Sequence, residues 1–429
     1  MNPLRAVKGM NDVLPDEMPR WHHVERVFAE TMRRYGYREV RTPYVEPTGL
    51  FVRTVGETTD IVEKEMYSFT FHSEELTLRP EGTASAARAY VEHNVHGREA
   101  ITRWYYVGPM FRGEQPQRGR YRQFTQMGAE IFGDAGPGCD AEMIDMLVQF
   151  LRELGIADAE VLVNSIGGPE TRAKYKNALV DFLEPRRDAL SPESQRRLTT
   201  NPLRILDSKS EKDQAALEGA PSVLGFLSDD DRAHLAKLER FLKALGTPYT
   251  LDEKLVRGLD YYTRTLFEIK GAKDKLGAGS TLLGGGRYDG MIHELGGPSV
   301  PALGFAAGVE RLLIASGIVP APPMPPVYVA ALGEAAAAEA LVLARELRAA
   351  GRAAEGDARG GSLKSQLRRA NALGARFAIV VGESELARGV VQAKDLAAHV
   401  QEEVPRGGVP AWLDARPSSP PPPPAKEPA

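Results

Sequence analysis

The chain has 429 residues, of which 42% are hydrophobic, and a formal net charge of −4. This length suggests about two to four domains, and the apolar content is sufficient for a full core. Because Cys139 is the only cysteine, an intrachain disulfide is excluded and a thiolate metal cluster is disfavoured. The near-neutral total charge does not exclude nucleic-acid binding through a local basic patch.

The N-terminal region predicts a cytoplasmic protein without a membrane span. It has no apolar signal-peptide segment, and no run in the chain approaches about 18 apolar residues. Glu17–Tyr35 has apolar residues at helical spacing and is followed by Gly36, so a helix is predicted there. A strand is then predicted at Arg38–Arg41, before Thr42-Pro43. A long helix before a proline-broken strand is often a subunit contact, but ordinary core packing fits the pattern equally well.

A strand-to-helix turn is the first candidate for ligand contact. Leu76–Glu81 is predicted as a strand that ends at Pro80, and Gly82-Thr83 opens a helix over Ala84–Asn94. Side chains on such a turn are well placed to meet a ligand.

A hairpin is predicted next, with strands at Ile101–Arg112 and Phe124–Phe132 and a basic loop at Gly113–Gln123. The second strand alternates: Thr125, Met127, Ala129 and Ile131 share one face, and Gln126, Gly128 and Glu130 share the other. Two polar groups beside a glycine suit the floor of a site for a small polar ligand, and the nearby arginines suit an anion. A solvated hairpin with scattered charge is the alternative.

Helical sequence dominates the middle of the chain. A helix is predicted at Ala141–Gly155, a strand at Glu160–Ser165, and an inserted helical module from Thr171 to Leu245. After this module, Arg257–Thr263 (RGLDYYT) places an arginine, an aspartate and two tyrosines before a strand at Thr265–Lys270. Tyrosine hydroxyls can donate to or accept from a ring nitrogen, although a tyrosine-rich strand edge explains the cluster too.

Small residues mark the end of the large domain. Gly304–Leu312 (GFAAGVERL) predicts a strand of small residues leading into a helix. Such a strand leaves one face open to a flat ligand, with Arg311 placed to meet a polyphosphate or a base. A tight packing corner between strand and helix explains the same small residues. Upstream, Gly284–Asp289 (GGGRYD) is interpreted as a turn. It is not a P-loop, because no Gly-Lys-Ser/Thr follows at the required spacing.

A second domain is predicted after a proline-rich linker at Pro320–Pro326. Its pattern of alternating strands and helices is that of a small α/β domain, and the proline-rich end of the chain is expected to be disordered. The predicted division is a first domain at 1–325, with the insertion at about 171–247, a second domain at 326–416 and a tail at 417–429. The predicted elements of the second domain are strands at Val327–Leu332, Phe377–Gly382 and Val390–Asp395, helices at Glu334–Ala350 and Leu363–Leu373, and a final helix.

One helix of this second domain is a candidate RNA contact. Arg359–Arg376 holds five basic residues and no acidic one, and Lys364 and Arg368 share a helical face. Such a face could meet an RNA backbone, or it could be an ordinary solvated surface.

These stretches, in order from Gly9 to about Asp395, resemble the histidyl-tRNA synthetase family of class II aminoacyl-tRNA synthetases. RGLDYYT is similar to the family's histidine-site signature. The other matches are Thr42–Phe51 to the first class II signature, a dimer element; Phe111–Glu130 to the second; Gly304–Leu312 to the third; and Gly360–Asn371 to the start of the anticodon-binding domain.

The resemblance implies an α+β catalytic domain with an antiparallel class II sheet flanked by helices, a helical insertion, and a C-terminal α/β anticodon-binding domain. It implies a homodimer that joins L-histidine to tRNA-His through histidyl-adenylate, with ATP as substrate, Mg²⁺ accompanying the ATP and no structural metal. It also implies site roles: catalysis by Arg112, Arg257 and Arg311; histidine binding by Glu81, Gly82, Thr83, Arg112, Gln126, Glu130, Arg257, Tyr261, Tyr262 and Tyr288; ATP binding by Arg112, Glu114, Arg120, Phe124 and Arg311; and tRNA binding by Gln117, Lys364, Arg368 and Arg369.

Three positions depart from the family pattern. Gly113 and Gln115 stand where a bulky and a basic residue are frequent, and Thr125 stands where histidine is frequent.

Two alternative functions remain. One is a non-catalytic paralogue such as the regulatory subunit of ATP phosphoribosyltransferase, which generally lacks the anticodon domain and the catalytic arginines. The other is a class II synthetase for another amino acid.

Overall fold

The computed structural model describes residues 3–272, 276, 280–317 and 325–416. The chain divides into two compact units, Met1–Val319 and Pro320–Ala429. The tail predicted at 417–429 lies outside the described residues, as does most of the predicted linker.

The first unit contains eleven of the strands and ten of the helices named below. Its strands are β1 (Arg38–Glu39), β2 (Val45–Pro47), β3 (Tyr67–Phe71), β4 (Glu74–Leu78), β5 (Thr102–Phe111), β6 (Gln123–Phe132), β7 (Glu160–Ser165), β8 (Thr250–Leu251), β9 (Thr263–Lys270), β10 (Thr281–Arg287) and β11 (Ala302–Gly308). Its helices are α1 (Met18–Arg34), α2 (Thr48–Val55), α3 (Thr83–Glu92), α4 (Pro137–Glu153), α5 (Pro169–Leu183), α6 (Pro192–Thr200), α7 (Glu211–Ala216), α8 (Asp229–Leu245), α9 (Met291–Glu294) and α10 (Val309–Ser316).

An eight-stranded sheet organises the first unit, in the order β1-β5-β6-β11-β10-β9-β7-β8. Its six central strands are antiparallel to one another, whereas the edge strands β1 and β8 pair in parallel with β5 and β7. The sheet is therefore mixed, with the predicted antiparallel arrangement at its centre. Register places Glu130 of β6 opposite Gly304 of β11 on one side and Trp104 of β5 on the other.

Helices cover one face of this sheet with the main apolar core. In α1, Val24, Val27, Phe28 and Met32 are buried, as the helical spacing of the sequence predicted. Side chains of α4, α8 and α10 complete this core together with the alternate residues of β6. Because this face is filled with apolar groups, the opposite face of β6 is the one available for a polar site.

The glycine-rich stretch interpreted as a turn is a central strand, so that interpretation was wrong. A Cβ at Gly285 would lie 2.2 Å from the carbonyl oxygen of Gly304, and one at Gly286 would lie 2.4 Å from that of Thr265. Glycines are needed here because neighbouring strands approach too closely for a side chain, not because the chain reverses.

The inserted segment has a small core of its own, built on apolar side chains of α5, α6 and the turns that follow: Tyr175, Leu179, Leu183, Leu198, Ile205 and Leu206. The last helix, α8, instead packs against α4 in the main core through Leu235, Leu238 and Leu242. The helical character predicted for 171–245 is present, and α8 is shared with the main sheet layer.

A three-stranded sheet, β2-β4-β3, stands apart from the large sheet. Cross-strand register places Val45, Leu78 and Tyr67 side by side on one face of this sheet, and Leu76 and Phe69 form the next pair on the same face. On the opposite face, Glu46 and Thr77 are buried. The strand predicted at Leu76–Glu81 therefore begins two residues earlier and ends at Leu78, before the turn that carries Glu81.

The second unit is an α/β fold around a five-stranded sheet, in the order β13-β12-β14-β15-β16. The edge strands β13 and β16 were not predicted from sequence. Gln366 links helix to sheet, because its side chain accepts from the Ala331 N–H at 2.8 Å and donates to the Ala331 carbonyl at 2.6 Å. The elements are β12 (Val327–Leu332), β13 (Ala354–Gly356), β14 (Phe377–Gly382), β15 (Val390–Asp395) and β16 (Val400–Pro405), with α11 (Glu334–Ala349), α12 (Leu363–Ala372), α13 (Glu383–Ala387) and α14 (Val409–Asp414).

Candidate active site

A cavity of about 680 Å³ lies over β6, β9, β10 and β11 in the first unit. Its wall brings together most of the site residues predicted from sequence, although they come from segments far apart in the chain. Those that line it are Glu81, Thr83, Arg112, Glu114, Arg120, Phe124, Gln126, Arg257, Tyr261, Tyr262, Tyr288 and Arg311. Its volume is in the range of small-molecule sites.

The floor of the cavity comes from the alternation of β6. Met127, Ala129 and Ile131 enter the apolar core, so Gln126 and Glu130 face the other way. Gly128 does not leave room for a ligand, contrary to the sequence-based expectation. A Cβ there would lie 2.5 Å from the Tyr106 hydroxyl, which already fills that space.

Glu130 is fully buried beneath this floor and is held by three hydroxyl groups. Its Oε1 accepts from Thr83 at 2.8 Å and from Tyr106 at 3.0 Å, and its Oε2 accepts from Tyr288. Burial raises the pKa of Glu130 to about 8, although these hydrogen bonds act in the opposite direction. Sequence reasoning missed Tyr106; the available signal was its position on β5 directly opposite Gly128.

One acceptor position on Glu130 remains among the described residues. A carboxylate offers about four lone-pair directions, and three are used by the hydroxyl groups. Gly304 lies against the less occupied oxygen, where a Cβ would stand 1.6 Å from Oε2. Oε2 of Glu130 therefore occupies the space that the missing side chain at Gly304 leaves, and Gly304 itself lines the cavity beside it.

The strand-to-helix turn before α3 is fixed by two polar side chains. Glu81 accepts from the backbone N–H of Thr83 at 2.9 Å and from that of Ala84 at 2.7 Å, which satisfies donors at the helix start. Gln126 accepts from the N–H of Gly82 at 3.1 Å. Burial raises the pKa of Glu81, and the backbone donors oppose that shift. The turn thus presents a carboxylate and a hydroxyl to the cavity.

Tyrosines form the wall beside Glu130. The rings of Tyr261 and Tyr262 lie 4.6 Å apart between centroids, and those of Tyr261 and Tyr288 lie 5.5 Å apart. Tyr262 and Tyr288 are buried. Burial raises the pKa of all three phenols, so they remain neutral hydrogen-bonding groups.

The three arginines predicted to be catalytic approach the cavity from separate parts of the chain. Arg112 donates from Nε to the Pro80 carbonyl at 2.9 Å and lies 5.3 Å from the centre of the Phe124 ring. Arg257 pairs with Glu268 at 2.7 Å, and its buried Nε has no hydrogen-bond partner among the described residues. Arg311 starts from α10, and burial lowers its pKa. Buried polar atoms without partners are rare, so Arg257 is suited to receive an additional acceptor.

The carboxylates in the wall that were not predicted from sequence include Glu268 and Glu310. Glu268 pairs with Arg257 and accepts from the Thr281 hydroxyl at 2.6 Å. Glu310 accepts from the Thr125 N–H at 2.8 Å, and burial raises its pKa to about 7. Glu268 fixes the direction of Arg257, and Glu310 ties α10 to the outer end of β6.

The predicted tRNA-binding residues have different surroundings. Gln117 forms a backbone bridge with Arg120 in the loop between β5 and β6. Lys364 and Arg368 are exposed on α12. Arg369 is instead engaged with Asp357 and, at 3.2 Å, with the Tyr328 hydroxyl. Its guanidinium therefore has a structural partner that the sequence did not reveal.

Comparison with known proteins decides the family. The sequence model described as histidyl-tRNA synthetase matches residues 9–312, and the model described as anticodon binding domain matches residues 326–416. The chain belongs to the histidyl-tRNA synthetase family. Among its relatives, the histidine–tRNA ligase of Sorangium cellulosum is 57% identical over 405 residues, which cover 94% of this chain and 95% of that protein.

Other histidyl-tRNA synthetases agree with this placement. The histidine–tRNA ligase of Cupriavidus taiwanensis is 49% identical over 93% of this chain and 89% of that protein. The crystal structure of the apo S. aureus histidyl-tRNA synthetase superposes with a TM-score of 0.80 at 34% identity, over 96% of this chain and 99% of that one. Both units of the chain therefore have counterparts in family members, and the fold class inferred from sequence is confirmed.

No helix in the described ranges is long and apolar enough to cross a membrane. Within the same ranges, no three His, Cys, Asp or Glu side chains are grouped so that they could hold a metal ion.

Proposed function

We propose that this protein ligates L-histidine to tRNA-His in two steps, first forming histidyl-adenylate from ATP and histidine and then transferring the histidyl group to the tRNA. The observation that carries the proposal is the convergence of Arg112, Arg257 and Arg311 on one cavity beside the Glu130–tyrosine cluster. Membership of the histidyl-tRNA synthetase family supports the same chemistry.

In the first step, a histidine carboxylate oxygen bonds to the α-phosphorus of ATP while the bond to the bridging oxygen breaks, and pyrophosphate leaves with that electron pair. Negative charge accumulates on the α-phosphate oxygens. Arg112 and Arg257 stabilise it from two sides, and no covalent protein nucleophile is required. Glu268 holds the Arg257 guanidinium at 2.7 Å, so its direction is set before the substrate arrives.

The histidine substrate is recognised at both ends. Glu81 and Thr83 bind the α-amino group with help from Gln126, at the turn before α3. The imidazole faces Tyr262 and the remaining acceptor position on Glu130, with Tyr261 and Tyr288 enclosing it. An amino acid without ring nitrogens would leave these buried polar groups unpaired, which costs about 10⁴-fold in discrimination at comparable sites.

ATP occupies the other end of the cavity in this proposal. The adenine stacks on Phe124 and contacts Glu114, while Arg120 and Arg311 meet the β- and γ-phosphates. Glu114 pairs with Arg120 at 3.5 Å, so the base and phosphate contacts are coupled. Mg²⁺ would arrive on the phosphate oxygens of ATP and neutralise part of their charge; the carboxylate lining of the cavity, Glu114 and Glu268 among others, is compatible with a cation there.

In the second step, a ribose hydroxyl of the terminal adenosine attacks the histidyl carbonyl and AMP leaves. Gln117 contacts the acceptor end from the β5–β6 loop. Lys364 and Arg368 contact tRNA from the second unit, and Arg369 contributes chiefly by holding Asp357 and thereby the loop between β13 and α12. Since the reaction draws on ATP and tRNA, we assign the protein to the cytoplasm.

The protein also forms a homodimer in this proposal. The small β2-β4-β3 sheet presents an apolar face to solvent, on which the side chains of Val45, Phe69 and Phe71 are 38%, 42% and 57% exposed. Its strand β2 lies within Thr42–Phe51, the stretch that resembles the dimer element of the class. A second copy with the same apolar face is the partner that satisfies two-fold symmetry.

Amino-acid-dependent exchange of labelled pyrophosphate into ATP tests the proposed activity. The protein is incubated with ATP, Mg²⁺ and each amino acid separately, and histidine alone is expected to support exchange. An absence of histidine-dependent exchange contradicts the proposed activity, and exchange with a different amino acid would assign the protein to that substrate. Charging of a tRNA-His transcript with labelled histidine then tests the second step.

A further inference from the structure

The inserted helical module reaches the histidine-site loop, Arg257–Tyr262, through one arginine. Arg172 on α5 donates from one terminal guanidinium nitrogen to the Asp260 carbonyl at 3.0 Å and to the Tyr262 carbonyl at 2.9 Å. These carbonyl groups flank Tyr261. One charged donor therefore fixes the backbone on both sides of a tyrosine that lines the cavity.

The Asp260 side chain is held from the same module and from a neighbouring loop. Asn201, which follows α6, donates to its Oδ1 at 2.8 Å, and Thr58 donates to its Oδ2 at 3.5 Å. The Asp260 N–H donates to the Val55 carbonyl at 3.2 Å. Asp260 thus points away from the cavity and anchors the loop.

Arg204 belongs to the same contact region. It pairs with Asp60 at 3.3 Å, and a Cβ at Gly258 would lie 2.7 Å from its guanidinium. A side chain at Gly258 would therefore collide with the module. The histidine-site loop is positioned against polar groups of the insertion along much of its length.

Packing behind this loop is incomplete. A cavity of about 20 Å³, lined by residues that include Arg172, Asn201 and Tyr262, separates the loop from the module. A space of this size holds at most about one water molecule. The loop is also packed through Leu259 and Tyr262 in an apolar cluster with Leu255 and Leu266. The hydrogen bonds from Arg172 add a fixed direction to its backbone.

We infer that Arg172 is a positioning residue for histidine recognition: from the inserted module it holds the backbone of Asp260 and Tyr262 so that Tyr261 and Tyr262 face the imidazole. This inference rests on the proposed function, since it assigns Arg172 to the histidine end of that site. Arg172 does not line the main cavity, so it acts through the loop and not on the substrate.

Steady-state pyrophosphate exchange distinguishes a positioning role of Arg172 from a general loss of folding stability. In Arg172→Ala, the KM for histidine is expected to rise at least about tenfold, whereas the KM for ATP stays within about twofold, because Phe124 and Arg311 lie on other elements. Arg172→Lys retains a cation on a shorter side chain, which restores only part of the contact with the two carbonyl groups, so its KM for histidine is expected to lie between those of Arg172→Ala and the wild type. Lys176→Ala, an exposed change on the same helix, is the matched control and should match the wild type.

Two results would overturn the inference. One is an unchanged KM for histidine in Arg172→Ala; the other is an equal rise of both KM values, which would indicate a general structural defect. Circular dichroism tests whether each variant is folded. If Arg172→Ala does not fold, Asn201→Ala replaces it, because this change removes only the contact with the Asp260 side chain. A smaller rise in the KM for histidine is then expected. Failure of the proposed function is distinguishable, because the wild type itself would then show no histidine-dependent exchange.

Discussion

Arg257 occupies the space in which a side chain at Gly284 would stand. A Cβ built on Gly284 would lie 2.5 Å from the Arg257 Cζ and 2.6 to 2.7 Å from both terminal nitrogens. Gly284 lies on β10, and Arg257 reaches it from the loop before β9. A glycine on the floor of the cavity therefore sets the position of a guanidinium assigned to the α-phosphate.

Replacement of Gly284 by alanine tests this relationship. Gly284→Ala should displace the Arg257 guanidinium and lower the kcat of adenylate formation by about 10-fold or more, while the protein stays folded because the displaced atoms end a flexible side chain. Gly225→Ala is the control, since no atom would lie within 4 Å of its added Cβ. Burst kinetics of histidyl-adenylate formation give the rate, and a wild-type rate in Gly284→Ala would refute the proposed relationship.

Removal of the Arg257 guanidinium should affect the chemical step more than binding. For Arg257→Ala, we expect kcat for pyrophosphate exchange to fall about 10²- to 10³-fold, the range found when one transition-state donor is lost. Histidine affinity, measured by calorimetry without ATP, should change much less. The exposed Arg33→Ala is a matched control. An unaltered kcat in Arg257→Ala would show that Arg257 does not stabilise the transition state.

The pH dependence of stability reports on Glu130. The ordinary pKa of this group is 4.5, and burial raises it to about 8 in the folded protein. Its protonated form therefore contributes stability that is fully present below the unfolded pKa and is lost as pH rises through the folded pKa. Glu130→Gln cannot titrate, so its melting temperature relative to the wild type should increase between about pH 5.5 and about pH 9.

This comparison uses thermal denaturation of both proteins without ligand. Glu130→Gln should also lose histidine-dependent exchange, because the amide replaces an acceptor oxygen. A difference in melting temperature that is constant with pH would indicate that Glu130 has the same pKa folded and unfolded. Glu211→Gln, which changes an exposed carboxylate at the start of α7 away from the cavity, is the control for replacing a carboxylate by an amide.

The exposed basic residues of α12 should affect tRNA charging but not amino acid activation. Lys364→Glu combined with Arg368→Glu reverses two charges, so KM for tRNA should rise, and the effect should weaken at high salt. Pyrophosphate exchange should be unchanged. Unchanged charging at low salt would assign these side chains to an ordinary solvated surface. Glu383→Lys, a charge reversal on α13 of the same unit, tests whether any change of charge in this unit has the same effect.

Charge introduced on the small sheet should separate the dimer. Phe71→Glu places a carboxylate on the exposed apolar face of β3, where burial against a second copy would be costly. Light scattering coupled to size exclusion should give a dimer for the wild type and a monomer for this variant. Leu341→Glu, at a side chain 46% exposed in the second unit, is the matched control. A dimeric Phe71→Glu would locate the interface elsewhere.

The sequence was informative where local patterns decide the structure. Period-two alternation predicted that Gln126 and Glu130 share the face of β6 opposite to Met127, and helical spacing predicted the buried side of α1. The order of the motifs indicated the family, which the comparisons confirmed. These features depend on residues close together in the chain or on motifs with known context.

Contacts between distant segments could not be predicted in this way. Three successive glycines at 284–286 have turn propensity, and only the approach of β9 and β11 explains why they form a strand. Likewise, nothing in the sequence of α5 indicates that Arg172 reaches the Tyr262 carbonyl. The family resemblance implied a tRNA contact for Arg369, but its pairing with Asp357 depends on how β13 and α12 meet. Tertiary neighbours determined each of these outcomes.

A crystal structure with a non-hydrolysable histidyl-adenylate analogue tests the central claim most directly. The imidazole is predicted to lie within hydrogen-bonding distance of Tyr262 and of Oε2 of Glu130, and the phosphate mimic between Arg112 and Arg257. An analogue bound in the cavity with its imidazole away from Glu130, or with its phosphate mimic in contact with neither arginine, would contradict the account.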